Sequence, residues 1–290
     1  MIQSVAFLGL GAMGYRMAAH LVKQFEQVWV WNRNFAKAEQ HAREYGSQAV
    51  TLEQAVQADL IFSCLPTSQD VITLIQGVDL KAGSIWVDCT SGVPESARAL
   101  HQLLKTQGVD FLDAPVSGQT IGAEKGTLTV MIGGEADAFQ RALPAIECFG
   151  QLIQHVGEPG AGFAVKAVNN MLMAVHLCAA VEGFSILKAH GVDLQRALAC
   201  INASSGQSTV TSSILPQRIL NREFPLTFAL PLLAKDTGIA LDLVREAKLA
   251  APVIAQTQSL VQSASNQHHH DSDFSTLAKM YESWNKITIE

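Results

Sequence analysis

A lysine and an asparagine stand four residues apart in the stretch Gly160–Asn170, which reads Gly-Ala-Gly-Phe-Ala-Val-Lys-Ala-Val-Asn-Asn. On a helix, Lys166 and Asn170 would share one face, one turn apart. Their neighbours are small or apolar, and loss of hydration lowers the pKa of a lysine from its usual value of about 10.4. A lysine tuned in this way can exchange protons at neutral pH as a general acid or base. From this stretch alone, a lysine that reaches solvent from an ordinary helix remains the alternative.

A glycine-rich loop near the start of the chain predicts a dinucleotide site. An apolar run at 5–8 is typical of a buried strand, and it leads through the glycine loop and a helical pattern into a second strand at 28–31. In that context the first glycine permits a tight turn, the second lets the backbone approach a pyrophosphate, and the third lets helix pack on strand. The start of the helix offers free N–H groups to phosphates. The predicted cofactor contacts in this loop are Gly9, Leu10, Gly11, Ala12, Met13 and Gly14.

The residues after the second strand distinguish between the two nicotinamide cofactors. An NAD site usually carries Asp or Glu there for the ribose hydroxyl, whereas this chain has Asn32 and Arg33. Asn32 would not repel a 2′-phosphate, and the guanidinium of Arg33 can pair with it. The pair therefore predicts that NADP is preferred and that NAD is possible.

The alternation of strands and helices continues to about residue 156, and three loops follow strand ends. These loops contain Leu65-Pro66, Thr90-Ser91 and Ser117-Gly118. Ligands in such sheets bind beyond the carboxyl ends of the strands, so we expect the loops to line one crevice. Leu65, Pro66 and Ser91 would contact the cofactor, and the hydroxyl of Ser117 with the N–H of Gly118 could hold a carboxylate. For either serine alone, a helix cap or turn is the competing interpretation.

The second half of the chain reads as helix after helix. The stretch from Phe163 to His190 is nearly all apolar, and a helix that is apolar all round is buried on every side. Little chain remains to cover it, so we expect another subunit to do so, in a homodimer or homotetramer. The predicted architecture is an α/β N-terminal Rossmann domain plus an all-α C-terminal domain. The dinucleotide-binding domain would span 1–162, and the helical substrate and dimerisation domain would span 163–290.

Two later clusters of polar residues have competing interpretations. Lys235 and Asp236 follow an apolar run, so Lys235 could be drawn into a cleft beside its acidic neighbour, or the two could form a surface ion pair. Three histidines at 268–270 suggest a metal site, but adjacent side chains cannot all point to one side. We therefore expect no metal there and instead a helix N-cap at Asp273.

Composition excludes several classes of protein. The chain has 290 residues, 48% of them hydrophobic, so a sizeable core is expected and disorder is not. A net charge of −6 argues against nucleic acid or an anionic membrane as a partner. The five cysteines are scattered and form no C-x-x-C pair, which predicts neither a disulfide framework nor a zinc site. With no leader-like start, these features predict a cytoplasmic protein.

Together the motifs resemble those of the β-hydroxyacid dehydrogenase family, which includes 3-hydroxyisobutyrate dehydrogenase, tartronate semialdehyde reductase and glyoxylate/succinic semialdehyde reductase. The resemblance covers essentially the whole chain: the glycine loop, the stretch 113–118 (Asp-Ala-Pro-Val-Ser-Gly), the stretch 160–170 and the late Lys-Asp pair. It implies that Lys166 is the catalytic acid–base and that Lys235 lies near the nicotinamide. The residues it implies in substrate binding are Ser117, Gly118, Gln119, Asn170 and Lys235.

The resemblance implies an oxidoreductase that interconverts a small 3-hydroxy or 2-hydroxy acid and its semialdehyde or oxo acid. One departure is Gln119, which stands where the family usually has the second glycine of Ser-Gly-Gly, so the substrate pocket is expected to be narrower or more polar. Asn32-Arg33 is similar to the NADP-linked glyoxylate and succinic semialdehyde reductases, which are the alternative within the family. An imine reductase usually replaces the lysine, and a non-catalytic NADP-binding protein would not need it, so Lys166 argues against both.

Overall fold

The computed structural model describes residues 2–267 and 271–290, which form two compact units, Met1–Lys166 and Ala167–Glu290. The division falls within a long helix, four residues beyond the boundary predicted after residue 162. This helix is continuous across the division, so its first turns belong to the first unit and the rest to the second. The histidine tract at 268–270 lies outside the described residues, and the expectation of no metal there stays a prediction.

The first unit is built on a mainly parallel sheet of the Rossmann type, as predicted. Its strands are β1 (Ser4–Leu8), β2 (Gln27–Trp31), β3 (Gln48–Ala49), β4 (Leu60–Ser63), β5 (Ile85–Asp88), β6 (Asp110–Asp113), β7 (Val116–Ser117), β8 (Leu128–Gly134) and β9 (Gly150–Gly157). The order is β3-β2-β1-β4-β5-β6-β8-β7, with β9 beside β8. The strands from β3 to β6 are parallel, and β8 runs antiparallel to β6. Strands β3 and β7 were not predicted, because two residues are too few to show a period.

Helices cover both faces of this sheet. They are α1 (Gly14–Leu21), α2 (Phe35–Tyr45), α3 (Leu52–Ala55), α4 (Ser68–Gln76), α5 (Pro94–Thr106), α6 (Gln119–Lys125), α7 (Ala136–Ile146) and the start of α8 (Ala161–Ala189). Successive residues of the central strands alternate between two cores: Phe7 joins the core that includes α1, and Leu8 the core that includes α5. Burial on both faces explains why these strands read as continuous apolar runs.

The second unit is helical, as predicted. After α8 it contains α9 (Leu194–Asn202), a π-helix (Val210–Ile219), α10 (Leu230–Glu246), α11 (Pro252–Gln267), a 3₁₀ turn (Phe274–Thr276) and α12 (Leu277–Asn285). The sequence predicted an ordinary helix where the π-helix lies. Pro216 falls inside that segment and cannot donate an N–H, so a regular α-helical ladder is interrupted there.

Buried Asp273 links the segment before α12 to the residues before α10 and to the π-helix. Asp273 accepts hydrogen bonds from the N–H groups of Thr227 (3.0 Å) and Ser275 (3.0 Å), and it pairs with buried Arg218 at 3.1 Å. The predicted N-cap is confirmed, on a 3₁₀ turn. Burial alone would raise the pKa of Asp273, but the donors from Ser275 and Thr227 hold it below the usual range.

Helix α8 keeps an apolar face open to solvent. Leu172 is 51% exposed and Ile186 is 60% exposed, so the described chain does not bury the helix on every side. The helix is long and apolar enough to cross a membrane by length and composition, yet 44% of its most apolar window is buried. The core helix of a soluble protein passes the same test.

Candidate active site

The carboxyl ends of five parallel strands are aligned at one edge of the sheet. Leu8 at the end of β1 pairs with Trp31 of β2 and with Ser63 of β4. Ser63 in turn pairs with Asp88 of β5, and Asp88 pairs with Asp113 of β6. Every predicted cofactor loop of the first unit therefore begins at this edge, which is where an open parallel sheet binds its ligands.

The glycine loop is closely packed at its first and last glycines and open at the middle one. Gly9 has a φ of +98°, and a Cβ there would lie under 3.0 Å from the carbonyl oxygen of Cys64. A Cβ on Gly14, the first residue of α1, would meet the carbonyl of Gly9 under 3.0 Å away. Gly11, in contrast, has no heavy atom within 4 Å of where its Cβ would be. Gly9 and Gly14 are thus required for packing. The open side of Gly11 leaves room for a phosphate to approach the backbone.

Asn32 joins the glycine loop to the end of β2. Its Oδ1 accepts a hydrogen bond from the N–H of Leu10 at 3.0 Å, and its Nδ2 donates to the carbonyl of Asn34 at 3.0 Å. Arg33 is exposed beside it. The carboxamide therefore fixes the loop, a role that the sequence did not predict, while the pairing of Arg33 with a 2′-phosphate stays a prediction.

The loops after β4 and β5 are bonded to each other. The N–H of Leu65 donates to Oγ1 of Thr90 at 3.1 Å, and the N–H of Thr90 donates to Oδ1 of Asp88 at 3.0 Å. These bonds set the backbone on which the predicted cofactor residues Pro66 and Ser91 lie; Pro66 is exposed and Ser91 is half-buried. The sequence placed these loops at one edge but did not show that Thr90 links them.

Asp88 is a buried carboxyl under this pair of loops. Burial raises its pKa to about 6, against the opposing effect of hydrogen bonds from Thr90 and Ser63. Its Oδ2 has no hydrogen-bond partner among the described residues. Nothing in the sequence distinguished Asp88 from other strand residues, because its burial depends on the neighbouring strands.

Asp113 connects the predicted substrate loop to the helix that carries the lysine. This aspartate ends β6, and its side chain is fully buried. Its Oδ1 accepts the N–H of Gly160 at 2.7 Å, and its Oδ2 accepts the N–H of Phe163 at 2.8 Å. Free N–H groups at the first turn of a helix need such partners, and a carboxylate also matches the positive end of the helix dipole. One side chain thus joins two motifs that lie about fifty residues apart.

Two glycines allow the backbone at the start of α8 to pack closely against its neighbours. A Cβ on Gly162 would lie under 3.0 Å from the carbonyl oxygens of Met131 and Asp113. Gly160 has a φ of +94°, and its Cβ would be 2.8 Å from the carbonyl oxygen of Pro94. Lys166 follows Gly162 by one helical turn, and it is half-buried. The two glycines before the lysine are therefore required by close backbone packing, which sets the position of Lys166 along the helix.

The predicted carboxylate anchor lies on a short strand and the loop beyond it. Ser117 belongs to β7, pairs with Thr129 of β8, and is half-buried. Gly118 is exposed and has a φ of +138°, and Gln119 begins α6. The far end of α6 is held by His20 of α1, whose Nε2 lies 2.9 Å from the carbonyl of Ala123.

In the second unit, a buried carboxylate stands between two predicted substrate residues. Nδ2 of Asn170 donates to Oδ2 of Asp236 at 2.6 Å, and both residues are buried. Nζ of Lys235 lies 3.3 Å from Oδ1 of Asp236, a distance typical of an ion pair, although that oxygen accepts no hydrogen bond with good geometry. Lys235 is 27% exposed, so it is partly withdrawn from solvent. The sequence predicted the ion pair but not the contact between Asn170 and Asp236.

The chain matches known protein families over almost its whole length. The NAD-binding domain of 6-phosphogluconate dehydrogenase matches residues 4–157, and the NAD-binding domain of NADP-dependent 3-hydroxyisobutyrate dehydrogenase matches residues 160–281. The chain is 32% identical to 2-(hydroxymethyl)glutarate dehydrogenase of Eubacterium barkeri, covering 98% of this chain and 97% of that protein. It is 31% identical to NAD-dependent L-serine dehydrogenase of Pseudomonas aeruginosa, covering 97% and 98%.

A solved structure is similar over nearly the whole chain. It is Mycobacterium tuberculosis 3-hydroxyisobutyrate dehydrogenase with L-serine, which has a TM-score of 0.88 and 29% identity over 97% of this chain and 99% of that one. The matched domains bind nicotinamide dinucleotides, and the relatives are named as dehydrogenases of hydroxy acids. The chain therefore belongs to the β-hydroxyacid dehydrogenase family and is an NAD(P)-dependent hydroxyacid dehydrogenase.

Proposed function

We propose that this enzyme interconverts a small 3-hydroxy acid, or a 2-hydroxy acid, and the corresponding semialdehyde or oxo acid, with Lys166 as the general acid–base. The observation that carries the proposal is the double cap of Asp113 on the first turn of α8. The two hydrogen bonds join the strand end that leads to Ser117 to the first turn of the helix that carries Lys166. A carboxylate anchor and a proton-exchanging group held in fixed relation are what acid–base catalysis on a small acid requires.

In this proposal the protein transfers the proton, and the cofactor transfers the hydride. The nicotinamide, when bound, supplies the hydride for reduction or accepts it in oxidation. During reduction, the ammonium of Lys166 would donate a proton to the developing alkoxide. During oxidation, the neutral amine would remove the proton from the substrate hydroxyl. The dinucleotide would be held by the glycine loop and by the loops at Leu65, Pro66 and Ser91.

The substrate acid would be held by three groups of residues. Ser117, the N–H of Gly118 and Gln119 would bind the carboxylate. Asn170 would hold the reacting hydroxyl or a carboxylate oxygen, and its bond to Asp236 fixes the direction of its amide. The resemblance implies that Lys235, which is paired with the same Asp236, also binds the substrate.

A glyoxylate or succinic semialdehyde reductase would use the same groups, and Asn32-Arg33 favours that alternative through its compatibility with NADP. The test is NADPH oxidation, followed by absorbance, with glyoxylate, succinic semialdehyde, tartronate semialdehyde and methylmalonate semialdehyde, repeated with NADH. Turnover of one or more of these acids supports the proposal and ranks the substrates. Absence of turnover with either cofactor, in protein shown to bind NADPH, would favour an imine reductase or a non-catalytic NADP-binding protein.

We expect the substitution Asn32→Asp to lower the preference for NADPH over NADH at least about tenfold, which corresponds to about 1.4 kcal/mol. An aspartate keeps an acceptor for the N–H of Leu10, but its charge would repel a 2′-phosphate and suit a ribose hydroxyl. The measurement is kcat/KM with each cofactor. Asn221→Asp, the same change at an exposed position of the second unit, should leave the ratio unaltered. An unchanged ratio in Asn32→Asp would remove this residue from the basis of cofactor choice.

We infer a homodimer or homotetramer in which α8 contacts a second subunit. The basis is its exposed apolar face, with Leu172 51% and Ile186 60% exposed over a helix of 29 residues. Light scattering should give at least twice the 31.2 kDa of one chain, and Ile186→Glu should lower that mass. A wild-type mass of one chain would contradict the inference.

A further inference from the structure

A row of polar residues crosses the sheet where three parallel strands end. Ser63 of β4 is paired in register with Asp88 of β5, and Asp88 is paired with Asp113 of β6. All three residues are fully buried. The carboxylate of Asp113 caps the first turn of α8, so it serves the helix that carries Lys166. The contacts of Asp88 lead in the other direction, to the loops after β4 and β5.

One oxygen of Asp88 makes the hydrogen bonds of this carboxyl group. Its Oδ1 accepts the hydroxyl of Ser63 at 2.9 Å and the N–H of Thr90 at 3.0 Å. Ser63 is itself oriented by the indole of Trp86, whose Nε1 donates to the serine Oγ at 2.8 Å. Within the described chain, Oδ2 has no hydrogen-bond partner. A buried carboxyl with one unpaired oxygen costs stability, and such a cost points to a function for the group.

Thr90 extends this network to the neighbouring loop. Its Oγ1 accepts the N–H of Leu65 at 3.1 Å. The carboxyl of Asp88 therefore holds Thr90, and Thr90 in turn holds the backbone that follows β4. Both loops begin at the carboxyl ends of parallel strands, where an open sheet binds its ligands. A buried acidic group thus determines how two neighbouring loops at that edge are placed relative to each other.

Resting on the contacts that the proposed function gives these loops, we propose that Asp88 is a positioning residue that holds the loops after β4 and β5 in the conformation that binds the dinucleotide. Because its carboxyl is fully buried, it acts through Thr90 and Leu65 and not by touching the cofactor. Its removal should weaken cofactor binding. Proton transfer should change little, because Asp113 keeps its own hydrogen bonds to the start of α8.

The same network predicts an equal effect on both nicotinamide cofactors. The two cofactors differ in the 2′-phosphate, which is expected to be bound after β2, by Arg33. The loops after β4 and β5 do not distinguish the cofactors, so loss of Asp88 should leave the ratio of NADPH to NADH affinity unchanged. This separates the effect of Asp88 from the effect expected for Asn32→Asp.

The test measures binding of NADPH and NADH by fluorescence, and kcat at saturating NADPH. Asp88→Ala should raise the Kd of both cofactors at least about tenfold, the scale of one or two hydrogen bonds, with kcat within about threefold of the wild type. Asp88→Asn keeps an acceptor at Oδ1 and should hold Kd within about threefold of the wild type. Thr90→Val removes the acceptor for the N–H of Leu65 and should raise Kd about fivefold, whereas Thr90→Ser should not.

Asp59 provides the matched control at the opposite edge of the sheet. It precedes β4 and is half-buried, and its Oδ2 accepts the N–H groups of Gln3 at 2.8 Å and Ser4 at 3.1 Å. Asp59→Ala therefore also removes a carboxylate that holds backbone, and both alanine variants should lower the midpoint of urea unfolding. Only Asp88→Ala should weaken cofactor binding.

Three results would overturn the inference. They are a Kd for NADPH in Asp88→Ala that equals the wild-type value, an equal loss of affinity in Asp88→Asn and Asp88→Ala, and an equal loss of affinity in Asp59→Ala. The last would show that general destabilisation is responsible. If Asp88→Ala does not fold, the comparison of Thr90→Val with Thr90→Ser decides, and equal Kd values in those two variants would contradict the inference.

The proposed function has a separate test, because binding is measured without a substrate. If the wild type binds NADPH but reduces no aldehyde acid, the proposed reaction fails, and the Kd values still decide the role of Asp88. A wild type that binds neither cofactor would contradict both.

Discussion

Replacing Lys166 by alanine is expected to lower kcat at least about a hundredfold, the usual scale for loss of a general acid–base. Without the ammonium, the alkoxide formed during reduction would have to take its proton from water. The affinity for NADPH should stay within about twofold, because the predicted phosphate contacts come from the glycine loop. The measurement is steady-state kcat, together with NADPH binding by fluorescence.

A matched control lies on the same helix. Lys188 is also on α8 but near its other end, is exposed, and donates to the terminal carbonyl of Glu290. Lys188→Ala changes the same residue type and should leave kcat within about twofold, because surface contacts of this kind contribute little. If Lys166→Ala loses only a few-fold in kcat, Lys166 is not the proton donor.

Replacing Asp113 by asparagine should have the second-largest effect, on both stability and rate. Asparagine can accept a hydrogen bond from either Gly160 or Phe163, but its N–H₂ would then face the other N–H. The loss of one cap and the buried, unpaired donor together should cost about 3 kcal/mol of unfolding free energy. A loosened first turn of α8 should also lower kcat about tenfold or more, because Lys166 is displaced from its working position.

Asp110 supplies the control for this change. It begins the same strand, is only partly buried, and pairs with Arg141 near the surface. Asp110→Asn should cost under about 1 kcal/mol and leave kcat unchanged. Urea unfolding and initial rates on both variants make the comparison. Equal stability and equal kcat in the two variants would show that the contacts of Asp113 do not position the helix.

The features that could be predicted from the sequence are those determined by residues close together in the chain. The strand at 5–8, the three glycines and the following helix fall within one short stretch, and the structure confirms that Gly9 and Gly14 are required for close packing. The alignment of the cofactor loops at one edge follows from parallel strand pairing, so it could be expected once the strands were recognised. The helical character of the second unit was likewise predicted, apart from the π-helix at 210–219.

The features that sequence missed depend on contacts between distant residues. Asp113 looked like part of a substrate motif, yet its carboxylate caps a helix about fifty residues later. Asn170 was predicted to bind the substrate, and the sequence did not show that its amide also donates to Asp236, 66 residues away. No spacing rule predicts either contact, because the approach of two elements is decided by the packing of everything between them.

Unusual backbone conformation was also not predictable from the sequence. Gln119 departs from the family pattern in sequence, but only its φ of +59° shows that a residue other than glycine adopts the left-handed conformation there. The π-helix at 210–219 is a similar case, since Pro216 alone is compatible with a kinked α-helix.

The most direct measurement of the central claim follows the hydride itself. NADPH carrying deuterium on the transferred position of the nicotinamide would be consumed with the preferred aldehyde acid, and the product would be analysed by mass spectrometry. We predict one deuterium per molecule, on the carbon that bears the new hydroxyl, with the wild type, and almost no labelled product with Lys166→Ala in the same time. Consumption of NADPH without label in the acid would contradict hydride transfer to that substrate, and labelled product at the wild-type rate from Lys166→Ala would contradict the role assigned to the lysine.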